Sequence, residues 1–75
     1  MASRKKTSEN KKLGRNIARL RNNAGLTQEQ LAEKTGISAR YVQDLEAGIY
    51  TPTVFIAAAL KRSLNCTWED LLKGC

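Results

Sequence analysis

Between Gln28 and Leu45 the run QEQLAEKTGISARYVQDL sets Ala32, Gly36 and Val42 at offsets that fit two helices crossing around one tight turn. Ala32 is small where the first helix must approach the second closely, and Gly36 supplies the positive-φ residue that lets the chain reverse. Val42 fills the crossing, while Leu31 and Leu45 extend the same buried seam on either side of the turn. Thr27 caps the first helix, with Gln30 completing a capping box, and Ser38 caps the second. The pair is therefore a helix-turn-helix whose second helix, about 38–47, projects from the surface.

A chain of 75 residues is one domain and buries only roughly 60% of its unfolded surface, which leaves little net stability. Its 13 Lys and Arg residues against 7 Asp and Glu give +6, the balance of a protein that meets a polyanion, nucleic acid being the commonest. Residues 1–23 hold eight cations and one anion, Glu9, whereas the rest of the chain is nearly neutral. No apolar run approaches the roughly 20 residues of a membrane span, and the N-terminus lacks a signal peptide's apolar core, so a cytoplasmic protein without a membrane partner is expected. The chain has no His, and Cys66 and Cys75 have neither the spacing of a zinc site nor the number for a disulfide framework, so no metal, cofactor or His-based catalysis is expected. Cys66 reads as a small buried hydrophobe and Cys75 as an exposed terminal thiol.

Residues 1–11 are polar and without period, which predicts a flexible basic arm ahead of a helical domain over 12–75. From Lys12 a helical period runs through Leu13, Ile17, Leu20 and Ala24 and stops at Gly25. Gly48 closes the projecting helix, and GIYTP forms a loop in which Pro52 keeps Thr51 extended. Thr53 caps a fourth helix over about 54–64 with two apolar stripes: Val54, Ala57, Leu60 and Leu64 for the core, and Phe55, Ile56 and Ala59 beside it. Thr67 and Asp70 start a short fifth helix carrying Trp68, Leu71 and Leu72, ended by Gly74. No strand signal is present.

The order TQEQLAEKTGISARYVQDLEAG, a Pro-Thr capped apolar helix and the end CTWEDLL resembles the Cro/C1-type, or XRE, helix-turn-helix family over about residues 12–74. The resemblance implies an all-α, compact five-helix, lambda-repressor-like domain that binds double-stranded operator DNA as a dimer, most often as a repressor. Carried over by position, Ala39, Arg40, Gln43 and Asp44 match outward positions of the recognition helix, and Gln28 matches a phosphate contact at the start of the second helix. Tyr41 matches a commonly aromatic position near the DNA backbone, and Arg21 with Glu46 matches an ion pair tying the first helix to the end of the third. Ala39 and Asp44 depart from the family's usual polar or basic residues, so no base preference transfers.

Arg40 can donate two hydrogen bonds to a guanine or pair with Asp44 one helical turn away, and both can hold. Gln43 can read adenine or face solvent, Asp44 can accept from cytosine, and Ala39 can pack on a thymine methyl. Thr27, Gln28 and Ser38 lie at helix starts that favour phosphate, and Tyr41 can donate to phosphate or cover the core edge. Arg15 and Arg19 on the first helix and Arg4, Lys5, Lys6, Lys11 and Lys12 in the arm can follow phosphates or serve as a solvated tail. Phe55, Ile56, Ala59, Trp68 and Leu72 form the candidate homodimer surface, which predicts a pseudo-palindromic operator. A phage-like repressor, a restriction-modification controller and an antitoxin all fit; a protein-interaction module on the same scaffold is the alternative. An enzyme has no support, since no nucleophile with a base and no phosphate-cradling glycine loop is present.

Overall fold

Each helix starts behind a hydroxyl side chain that accepts from a backbone N–H of its first turn. Thr7 caps α1 (Ser8–Asn23), Thr27 caps α2 (Gln28–Thr35), Ser38 caps α3 (Ala39–Glu46), Thr53 caps α4 (Val54–Leu64) and Thr67 caps α5 (Trp68–Leu71). Both capping boxes form, Thr27 with Gln30 and Thr67 with Asp70, and replacing one such cap by Ala typically costs about 1 kcal/mol. The computed structural model describes residues 3–4 and 7–75. None of its helices is long and apolar enough to cross a membrane.

The core is one cluster to which all five helices contribute: Leu13 and Ile17, Leu31 and Ala32, Val42 and Leu45, Leu60 and Leu64, and Leu71. Gly36 ends α2 at φ 80°, a left-handed conformation, and its N–H returns to the carbonyl of Ala32 at 2.8 Å. That turn sets α3 across α2. Against the other side of α3 lies α1, at a point where no side chain fits: a Cβ on Gly14 would stand 2.5 Å from the carbonyl oxygen of Leu45 and 2.6 Å from that of Glu46.

Four expectations change. The helix expected from Lys12 begins at Ser8, one turn earlier, so residues 8–11 belong to α1 and not to an arm. Its first turn is held by Thr7 and by Asn10, which is buried and whose Oδ1 accepts from Thr51 Oγ1 at 2.8 Å. A short antiparallel ladder, unexpected from the sequence, pairs β1 (Ser3–Arg4) with β2 (Tyr50–Thr51), Ser3 opposite Thr51 and Arg4 opposite Tyr50. On α4 the core stripe is Leu60 and Leu64 with Ile56 and Ala57 packed partly against them, whereas Val54 is 68% exposed. Likewise Ala24, expected at the end of the first helix's apolar period, is its exposed C-cap.

Candidate nucleic-acid interface

The helical period of α3 divides its surface into a buried face, two flanks and a ridge. Val42 and Leu45 point into the core. On one flank Glu46 takes up Arg21 of α1 and Gln28 of α2, and on the other Tyr41 leans on Tyr50, with ring centroids 5.9 Å apart and planes tilted by 55°. Arg40 and Gln43 occupy the exposed ridge between them, with Asp44 at its edge. A rigid helix presenting long polar side chains outward, with its inner face locked into a shared core, can enter a DNA groove without rearranging.

Arg40 Nε lies 3.3 Å from Asp44 Oδ1, while the Arg40 side chain is 82% exposed. This i,i+4 pair contributes only about 0.2–0.5 kcal/mol, less than the roughly 1–3 kcal/mol available from a bidentate guanine contact. It orients the guanidinium without committing it. Ala39 is partly buried, with one side packed against the core. Ser38 and Thr27 act as caps with exposed side chains.

Glu46 is the hub of the other flank. Its carboxylate accepts from Arg21 Nε at 2.6 Å and Nη2 at 3.1 Å, and from Gln28 Nε2 at 3.0 Å. Arg21 Nη1 donates onward to the carbonyl of Leu26 at 2.8 Å, which fixes the chain between α1 and α2. With side-chain exposures of 13% and 9% the Arg21–Glu46 pair is largely shielded. The hydrogen bond to Glu46, aided by its charge and opposed by desolvation, raises the Arg21 pKa and holds the guanidinium protonated. Gln28 is therefore anchored to α3 through one amide N–H, and its amide group carries a second N–H donor. On the opposite flank burial, with a smaller contribution from Tyr50, pushes the Tyr41 phenol above its ordinary value and keeps it a neutral donor.

The other candidates are dispersed. Arg15 and Arg19 are exposed, and Arg19 Nη1 donates to Asn16 Oδ1 at 3.1 Å, toward the end of α5 that the Asn16 amide holds through the carbonyls of Leu71 and Lys73. Neither arginine is brought to α3 by these contacts. Lys5 and Lys6 lie outside the described residues. Of the apolar candidates, Phe55 is 83% exposed, with Leu72 and Trp68 also on the surface and Lys61 Nζ 5.7 Å from the Trp68 ring centroid. Ile56 turns inward against the core, and Ala59 lines a groove between α2 and α4 with Thr35 and Ser63. Cys66 is half-buried, which pushes its thiol up, and Cys75 is exposed.

Sequence reasoning missed Tyr50, the ladder beneath it and Gly14. Gly14 did carry a signal, because a glycine inside a helix costs up to about 1 kcal/mol against Ala and so marks a close approach.

The helix-turn-helix family HTH_3 matches residues 17–71 of this chain. An uncharacterized HTH-type transcriptional regulator of Sinorhizobium fredii, y4dJ, is 39% identical over 62 residues, which are 83% of this chain and 80% of the relative. Another from Archaeoglobus fulgidus is 38% identical over 55 residues, 73% of this chain and 79% of its own. Among solved structures, the clp gene regulator ClgR from C. glutamicum superposes with a TM-score of 0.84 at 25% identity, over 91% of this chain and 87% of that one. The restriction-modification controller protein C.AhdI from Aeromonas hydrophila gives 0.83 at 28% identity, over 87% and 98%.

Proposed function

Because the chain belongs to the XRE-type HTH_3 family of helix-turn-helix transcriptional regulators, we propose that it is a non-catalytic, sequence-specific repressor acting on DNA in the cytoplasm. In this reading α3 lies in the major groove of a double-stranded operator and two copies bind as a homodimer. The observation that carries it is the ridge of α3, where Arg40 and Gln43 project from a helix whose inner face is fixed by Val42 and Leu45. Arg40 reads guanine, Gln43 reads adenine, and Asp44 holds the Arg40 fork or accepts from cytosine, while Ala39 approaches a thymine methyl. Gln28, held by Glu46, meets phosphate at the start of α2 together with the backbone there; Thr27, Ser38 and Tyr41 border the same strands.

Selection of bound sequences from random duplex DNA tests this. Recovery of an inverted repeat with half-site centres one helical turn apart, about 34 Å, is the expected outcome. Failure to enrich any sequence would overturn it and favour the second reading, a protein-interaction or antitoxin-type module. The exposed Phe55, Val54, Leu72 and Trp68 are what that reading rests on.

A further inference from the structure

The seam between α2 and α4 carries a groove of about 280 Å³, lined by Lys34, Thr35, Ala59, Arg62 and Ser63. Thr35 Oγ1 lies 2.7 Å from the carbonyl of Leu31 and 3.0 Å from Ser63 Oγ. Thr35 has one hydroxyl hydrogen and gives it to Leu31, so Ser63 donates to Thr35 and joins the two helices. Lys34 stands in the last turn of α2 and Arg62 in that of α4, both exposed. Among the described residues no carboxylate lies within ion-pair distance of either. Glu33, next to Lys34 in sequence, is exposed and does not line the groove. Lys61, the other cation in the last turn of α4, is engaged elsewhere, with its Nζ 5.7 Å from the Trp68 ring centroid.

We propose that the α2–α4 groove is a docking site for an acidic segment of a partner protein, whose carboxylates pair with Lys34 and Arg62 while a short side chain rests on Ala59. Charge decides the class of occupant, because two cations on different helices border one hollow and no acid of this chain lines it. Shape decides between a free anion and a segment. In an open trough water competes strongly for a single small anion, whereas a segment with several carboxylates makes its second contact at high effective concentration. Position decides against DNA: no residue of α3 lines the groove, and Lys34 stands about 9 Å along α2 from Gln28 at 1.5 Å per residue. The hydroxyl bond between Thr35 and Ser63 holds α2 to α4, so the groove is formed before anything binds and the ordering cost is small. The inference goes beyond the DNA-binding reading and rests on it only in that both surfaces can be occupied at once.

The test is an NMR titration of the isotope-labelled chain with a hexaglutamate peptide, run beside hexaglutamine, inorganic phosphate and a short mixed-sequence duplex at constant ionic strength. Saturable shifts at the backbone amides of residues 34–35 and 59–63 are expected with hexaglutamate and with none of the other three. Lys34→Gln and Arg62→Gln should each weaken that binding by about two- to fivefold, the range of an exposed ion pair, and the double variant by more than either. Lys61→Gln, which removes the same charge outside the groove, should leave it unchanged. The double variant should bind the duplex within about twofold of the wild type at physiological salt, where the Debye length is about 8 Å. An equal effect of Lys61→Gln overturns the proposal, because net charge alone then explains the binding. So do shifts confined to α1 and α3, which make the peptide a stand-in for DNA, and the absence of saturable shifts with hexaglutamate. An equal response to phosphate makes the groove a small-anion site, and groove shifts with the duplex make it a DNA contact; both overturn it. A double variant that melts lower yet binds hexaglutamate like the wild type reduces the two cations to helix-end charges and overturns it too. A wild type that binds no duplex removes the DNA-binding reading alone, since the peptide titration is scored separately.

Discussion

Glu46 gathers three hydrogen bonds on one carboxylate, from two nitrogens of Arg21 and one of Gln28, so three helices meet at a single side chain. Removing it strands a shielded guanidinium and frees the Gln28 amide. Glu46→Ala should lower stability by roughly 3 kcal/mol, at the lower end of the cost of breaking a buried pair; urea denaturation measures this, and an unchanged midpoint would show the pair to be idle. Arg40 is the opposite case, a side chain 82% exposed whose only described partner is one turn away. Arg40→Ala should leave the fold intact and cost about 1–3 kcal/mol of discrimination at one base pair, read by competition between the selected operator and single-base variants. Uniform weakening across all variants would assign Arg40 to the backbone instead.

At the scale of elements, α3 is held by what it touches more than by its own eight residues, since a helix that short is unstable alone. The crossing with α1 depends on Gly14. An alanine would gain up to about 1 kcal/mol in helix propensity. Its Cβ, however, would stand 2.5 Å from a backbone carbonyl oxygen that cannot rotate away. Overpacking of about 1–3 kcal/mol outweighs the gain, so Gly14→Ala should lower the melting temperature and weaken operator binding together. A more stable variant would mean that α1 and α3 slide apart freely. The start of α1 obeys a similar logic, its first turn being held by Thr7 and by a hydrogen bond from Thr51, 41 positions beyond Asn10.

For the whole molecule the question is what covers Phe55. Together with Val54, Leu72 and Trp68 it leaves apolar side chains facing water on a chain with a small core, and a second copy burying them would add stability that 75 residues otherwise lack. Phe55→Glu should give a folded monomer by analytical ultracentrifugation, with operator binding weakened because two half-sites are no longer engaged together. A variant that remains dimeric would move the interface elsewhere.

The sequence by itself determined the helix-turn-helix, the caps of α2 to α5 and most of the core, because these rest on local chemistry: a hydroxyl three residues from an N–H, a glycine at φ 80°, apolar residues one helical turn apart. It also determined which side chains project from α3, since Arg40 and Gln43 fall opposite Val42 and Leu45 by period alone. Only the tertiary structure decided where α1 begins, which of its cations face the α3–α4 loop, and that Ile56 turns inward while Val54 does not. Those outcomes depend on contacts such as Asn10 with Thr51 and Lys11 with Gly48, between residues far apart in the chain. No periodicity encodes them, because they come into existence only when the helices have packed.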